Sequence, residues 1–193
     1  MRTGAAPKRV LKTLFGEDGV QTLDDQEHHH RKAMFMSLMS REALRSMREI
    51  TRKHWELAVS RWESEDNVEI YEEAQEMLCR VACEWAAVSL PEAEVKEKTG
   101  WLAAMIEATA AFGIKHRKGR HARAKAEKWM QELVVDVRSG TIEPKQGSTL
   151  HTMSWHRNLR GELLDKETAA VLPILPLCAC ACTEGFYLER ICI

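Results

Sequence analysis

Between Tyr71 and Val88 the apolar residues Tyr71, Ala74, Leu78, Val81, Trp85 and Val88 recur at steps of three and four. Only a helix gathers that spacing onto one face, so this stretch must form an amphipathic helix that packs against something. Pro91 sets its limit, because the residue before a proline is pushed out of helical geometry. The same period returns on both sides. Ser40 is placed to cap a helix striped by Leu44, Met47, Thr51, Trp55, Ala58 and Trp62. Before it, Asp24 as N-cap with Glu27 three residues on opens a helix reaching Met39. After it, a helix over 92–112 runs through Val95, Leu102, Met105, Ile106 and Thr109, with Gly113 to close it. A further one uses Ala122, Ala126, Trp129, Leu133 and Val137 and stops at Gly140.

Beyond Gly140 the composition turns loop-like, with a short helix expected around Leu150 to Trp155 and a restart near Asp165. Pro173 and Pro176 should stop that last helix, since each costs roughly 3 kcal/mol in a helix interior. No alternating strand pattern of useful length, internal repeat or Gly-rich phosphate loop appears. The expectation is an all-α fold of five or six helices, and 45% apolar content in 193 residues suffices for a core.

Net charge is −1, which gives no bias toward nucleic acid or an acidic membrane. The opening MRTGAAPKRV lacks the apolar stretch of a secretion signal. The longest apolar run, Leu172 to Cys182, is too short to span a bilayer and carries two prolines. A cytoplasmic chain without a membrane span is expected, and its six cysteines then need no disulfides. Cys79 and Cys83, inside one helical stripe, read as small packing residues.

His28 and Lys32 sit four apart just inside the first helix, on one face and one turn up. Such a pair can grip something doubly acidic; a solvated basic turn is the plainer account of the same residues. As a metal site His28, His29 and His30 are poor, because neighbours on a helix point about 100° apart. The basic run from Lys115 to Lys128 has no interleaved aromatics for base stacking, so it reads as a solvated helix start and no nucleic acid is expected.

The stretch LFGEDGVQTLDDQEHHHRKAMFMSL (14–38) resembles the C-helix region of the fatty-acid peroxygenase branch of the bacterial cytochrome P-450 (haem-thiolate) superfamily. The resemblance continues through YEEAQEMLCRVACEWAAVSLPEAEV (71–95), FGIKHRKGRHARAKAEKW (112–129) and ELLDKETAAV (162–171). Ile114, Lys115 and Arg117 depart from a Pro, an Arg and a Trp that the branch usually carries. What it implies is a partial cytochrome P-450 fold over residues 4–171, from the C helix to the start of the I helix, without the N-terminal sheet or the haem-ligand loop. His28 and Lys32 then fall on the positions that bind the haem propionates. Lys32 stands where most of the superfamily has Arg, which keeps the charge and loses the fork. Gln21 falls on the distal side of the haem, where Gln goes with hydroxylation and His with decarboxylation. A loop glutamine bonding its own backbone is the alternative. Ile106 falls on the fatty-acyl channel, with core packing equally good as an account.

The likeness stops at Leu172, leaving 172–193 as a divergent Cys-rich tail. Where the I helix should present an Arg–Pro pair, the chain reads Cys178–Ala179. A shifted reading frame near codon 171 would produce such a break. Neither the axial Cys loop nor the K-helix Glu-x-x-Arg is found; Glu42/Arg45 and Glu49/Arg52 match the spacing in the wrong place. By resemblance an intact protein would use hydrogen peroxide directly on haem b and hydroxylate a fatty acid near its carboxylate, with no redox partner. The 193 residues alone are expected to be inactive and not to retain haem. They would leave apolar faces, including Trp62, Trp85, Trp101 and Trp129, in search of partners. The competing account is a small helical metal- or protein-binding module with a thiol-rich tail at Cys178, Cys180 and Cys182, although structural zinc prefers spacers of about two to four residues.

Overall fold

A computed structural model of the chain describes residue 20, residues 23–109 and residues 111–181. Among the described residues lie α1 (Asp25–Leu38), α2 (Arg41–Trp62), α3 (Ile70–Ala86), α4 (Glu92–Glu107), α5 (Ile114–Ser139), α6 (Thr149–Ser154) and α7 (Lys166–Ala181). The all-α expectation holds, with one helix more than the five or six foreseen. Extended pairing among them is limited to a single antiparallel bridge, Arg157 with Leu163.

Several stop and start signals act as their chemistry predicts. Ser40 Oγ accepts from the Ala43 amide at 3.1 Å, capping α2. Gly140 closes α5 at φ 78°, a left-handed position that glycine takes without a Cβ penalty. Others do not. Asp24 stands at the N-cap of α1 in extended backbone, yet its side chain makes no capping bond. Asp25 beyond it adopts φ 50°, which breaks the regular entry a capping box requires. The helix expected over 92–112 ends at Glu107. There Thr109 Oγ1 donates to the Ile106 carbonyl at 2.7 Å and takes up an acceptor a further turn would have used. Gly113 consequently precedes α5 rather than closing α4, at φ 66°.

The largest departure is α7. It runs through Pro173 and Pro176 instead of stopping before them. Ala169, Ala170, Leu172 and Ile174 are completely buried, and tertiary packing of that face outweighs the proline penalty. The α2 stripe departs the other way. Of its six residues only Ala58 is buried, while Leu44 and Trp55 stand about half-exposed.

The main core lies where α3, α4, α5 and α7 meet. Leu102 and Met105 of α4 pack with Met130 of α5 and Ile174 of α7. Cys79, Ala82, Cys83 and Ala86 of α3 and Ala122 and Ala126 of α5 belong to the same core, in which α3 and α5 each pack on α4 and on α7. A second cluster joins Met34 and Leu38 of α1 to Val134, Met153, Leu164, Ala169 and Leu172. The four tryptophans expected to be left exposed are half-buried. Trp62 Nε1 donates to Glu73 at 2.9 Å, and Trp85 Nε1 to the Ala43 carbonyl at 3.2 Å. Trp101 and Trp129 meet edge-on at 6.5 Å under the Lys98 ammonium. Glu84 receives Lys53 at 2.9 Å and His54 at 2.7 Å, tying α2 to α3, and the Lys53 hydrogen bond holds its carboxyl below the usual range.

Candidate functional site

α1 carries the densest set of nitrogen side chains in the fold: His28, His29, His30, Arg31 and Lys32. Its helical turn separates them. His28 and Arg31 are buried, Lys32 is half-buried, and His29 is exposed, donating Nδ1–H to the Asp25 carbonyl at 2.7 Å. His28 and Lys32 therefore share a face one turn apart, as the spacing requires.

It is the His30 side of α1, away from the His28–Lys32 face, that packs on the hairpin-like loop between α6 and α7. Arg138 of α5 shapes it: Nε donates to the Ser154 carbonyl at 2.9 Å and Nη2 to the Leu164 carbonyl at 2.8 Å. Inside the loop, Asn158 Oδ1 accepts from the amides of Arg160 and Glu162, and Gly161 supplies the left-handed φ of 78°. The loop thus holds His156 under α1. His30 stacks on His156 with ring centroids 5.0 Å apart and donates Nε2–H to the Arg157 carbonyl at 2.8 Å.

His156 is the most perturbed group of this region. Burial first, then the Arg31 charge and His30, push its imidazole down from an ordinary 6.5 to about 4. It is neutral at physiological pH, and its Nε2 is buried with no hydrogen-bond partner. A neutral ring there can sit beside Arg31 without repulsion, so the loop presents α1 with a stacking surface rather than a competing cation.

The four residues singled out from sequence fare differently. His28 and Lys32 come together on α1. Ile106 is half-buried on α4, next to the fully buried Met105, and α4 does not pack closely on α1. Gln21 lies outside the described residues. Arg31, His30 and His156 were missed: Arg31 has only its place between His28 and Lys32 to flag it, and His156 is distant in sequence with no local pattern pointing back to α1.

His28, Arg31 and Lys32 fit a doubly anionic group such as the propionates of a haem, since they offer nitrogen donors along one side of a helix anchored by Met34 and Leu38. The axial side is another matter. Cys79 and Cys83 form no disulfide and are sealed in the main core, so neither is open to an iron, in keeping with a packing role. Among the described residues no group of three or more His, Cys, Asp or Glu is placed to hold a metal ion. Cys178 and Cys180 fall on the last turns of α7, while Cys182 and Cys192 lie outside the described residues.

No family model matches the sequence. Among solved structures the chain is similar to cytochrome P450SP alpha (CYP152B1) in complex with (R)-ibuprophen, at 34% identity and a TM-score of 0.87, over 92% of this chain and 44% of that one. It is similar to ligand-free cytochrome P450 OleT at 31% identity and a TM-score of 0.87, over 91% and 42%. It is similar to wild-type cytochrome P450EX alpha (CYP152N1) with myristic acid at 41% identity and a TM-score of 0.86, again over 91% and 42%. The chain spans less than half the length of these structures.

Proposed function

From the premise that this chain resembles the CYP152 fatty-acid peroxygenases and has the helical part of the cytochrome P450 fold, we propose that it is part of a peroxide-dependent fatty-acid hydroxylase. The observation that supports this most is a buried His28 one turn from Lys32, on a helix whose sequence and fold both resemble those proteins. His28 and Lys32 bind the two haem propionates, and Arg31 beside them adds to the positive field. Gln21 stands on the distal side and Ile106 lines the acyl channel. When bound to a cysteine thiolate, the haem supplies the oxidising chemistry that inserts oxygen next to the fatty acid's carboxylate. Peroxide serves as the oxidant, so no redox partner is needed.

The residues of this chain hold and orient; they do not supply the thiolate. We infer that the 193 residues alone are inactive and hold haem weakly. Haemin titrated into the purified chain, followed by its Soret absorbance, tests the propionate assignment. Each propionate contact is a charge-assisted hydrogen bond of about 1.5–3 kcal/mol, so His28→Ala and Lys32→Glu should each weaken haem binding about tenfold or more. Unchanged affinity in both variants overturns the assignment. Turnover of myristic acid with peroxide by the chain alone overturns the inference of inactivity.

A further inference from the structure

The last turn of α5, the loop after it and the end of α6 surround a cavity of about 460 Å³, none of whose walls comes from α1 or α4. That volume lies within the roughly 300–1,000 Å³ of small-molecule sites. Trp155, 41% exposed, and the half-buried Ile142 and Pro144 give it apolar walls. The charge inside it is Arg138. This half-buried side chain spends Nε and Nη2 on the carbonyls of Ser154 and Leu164, and its Nη1 has no hydrogen-bond partner among the described residues. No described carboxylate forms an ion pair with it either. Asp165 is near enough for its charge to be felt, but both its oxygens are occupied by Thr168, at 2.7 and 2.9 Å. Burial therefore works against the guanidinium charge with little to offset it, and an anion entering the cavity would relieve that cost.

We propose that this cavity is a second ligand site, which binds a small aromatic monocarboxylate with its carboxylate on Arg138 Nη1 and its ring against Trp155 and Ile142. Charge and shape each narrow the class. A charge-assisted hydrogen bond from a guanidinium selects an anion, and the aromatic and aliphatic walls select a body that is itself apolar. Glu143, exposed on the lining, places a negative charge where a second one on the ligand would be repelled. A monoanion is therefore favoured over a phosphate ester or a dicarboxylate. The site is separate from the α1 face offered to the haem propionates and from Ile106, so it stands whether or not the chain holds haem.

The test is fluorine NMR of 4-fluorophenylacetate titrated with the full chain, beside the neutral 4-fluorophenylacetamide and the dianionic 4-fluorophenylphosphonate. The carboxylate should bind, and the amide and the phosphonate should bind at least about tenfold more weakly, as expected when a charged partner is lost or repelled. Arg138→Lys keeps a charge but loses the fork that serves both loop and ligand, and should weaken carboxylate binding about tenfold. Trp155→Ala leaves the Arg138 bonds to the loop in place and should weaken it about fivefold through the lost ring contact. Lys32→Glu and Ile106→Trp, at the two places where the proposed function puts anions and acyl chains, should leave it unchanged. Circular dichroism checks that each variant keeps its helices. No binding of the carboxylate, equal binding of the amide, or indifference to Trp155→Ala overturns the proposal. Loss of binding in Lys32→Glu or Ile106→Trp overturns it as well, by moving the probe to α1 or to the acyl channel.

Discussion

His156 should make this fold sensitive to mild acid, and His156→Phe should remove that sensitivity. In the folded chain the ring is held neutral down to about pH 4, whereas in the unfolded chain it takes a proton near 6.5. Between those values the unfolded state binds the extra proton, so this residue's contribution to stability is complete above pH 6.5 and declines as pH falls toward 4. A difference from 6.5 to about 4 corresponds to at most about 3 kcal/mol. The ring is only partly enclosed, and solvent screening reduces this to about 1–2 kcal/mol. Phenylalanine preserves the stack on His30, cannot titrate, and replaces the unpartnered Nε2 with carbon. Urea unfolding of both proteins at pH 7.5 and at pH 4.5 gives the answer as a double difference, in which the carboxylates common to both cancel. The variant should be at least as stable at pH 7.5 and should lose about 1–2 kcal/mol less on acidification. Parallel losses in the two proteins would mean that His156 is not held neutral by the α1 contact, and the description of that contact would fail.

Two further outcomes follow from the packing. Met105→Ala removes a fully buried side chain from the main core and should cost about 2–5 kcal/mol in urea unfolding; a cost below about 1 kcal/mol would show that the α3–α4–α5–α7 junction is not tightly packed. Pro173→Ala restores an amide able to bond the Ala169 carbonyl inside α7 and should raise stability by about 1–2 kcal/mol, less than the full proline penalty because a buried ring is lost; a lowered thermal midpoint would contradict the continuous helix.

Where chemistry is local, the sequence was readable. Ser40 before α2 and Gly140 after α5 each act within a turn or two of backbone, so residue type was enough. The stripe over 71–88 identified α3 as a helix, but of its six residues only Val81 and Val88 are buried, and the face α3 turns to the core is Met77, Cys79, Ala82, Cys83 and Ala86. The same locality made His28 and Lys32 visible as a pair. Pro173 and Pro176 mislead for the converse reason: propensity sees only the missing amide, while the burial of Ala170, Leu172 and Ile174 against α3 and α5 that outweighs it is tertiary. The α2 stripe shows that periodicity identifies a helix's apolar face without saying how much of it the rest of the chain covers. His156 was illegible because its role comes from a contact with His30, 126 residues earlier, and from a loop closed by Arg138 on a third element.

Cys79 and Cys83 sit sealed at the junction of the four central helices. A thiol reagent cannot reach them through a frayed end or a swinging loop, because α3, α4, α5 and α7 would have to part together. Their alkylation, resolved from that of the other cysteines by peptide mass, therefore keeps time for the opening of the whole molecule. The two sulfurs make a built-in clock for global unfolding, with no probe to be engineered.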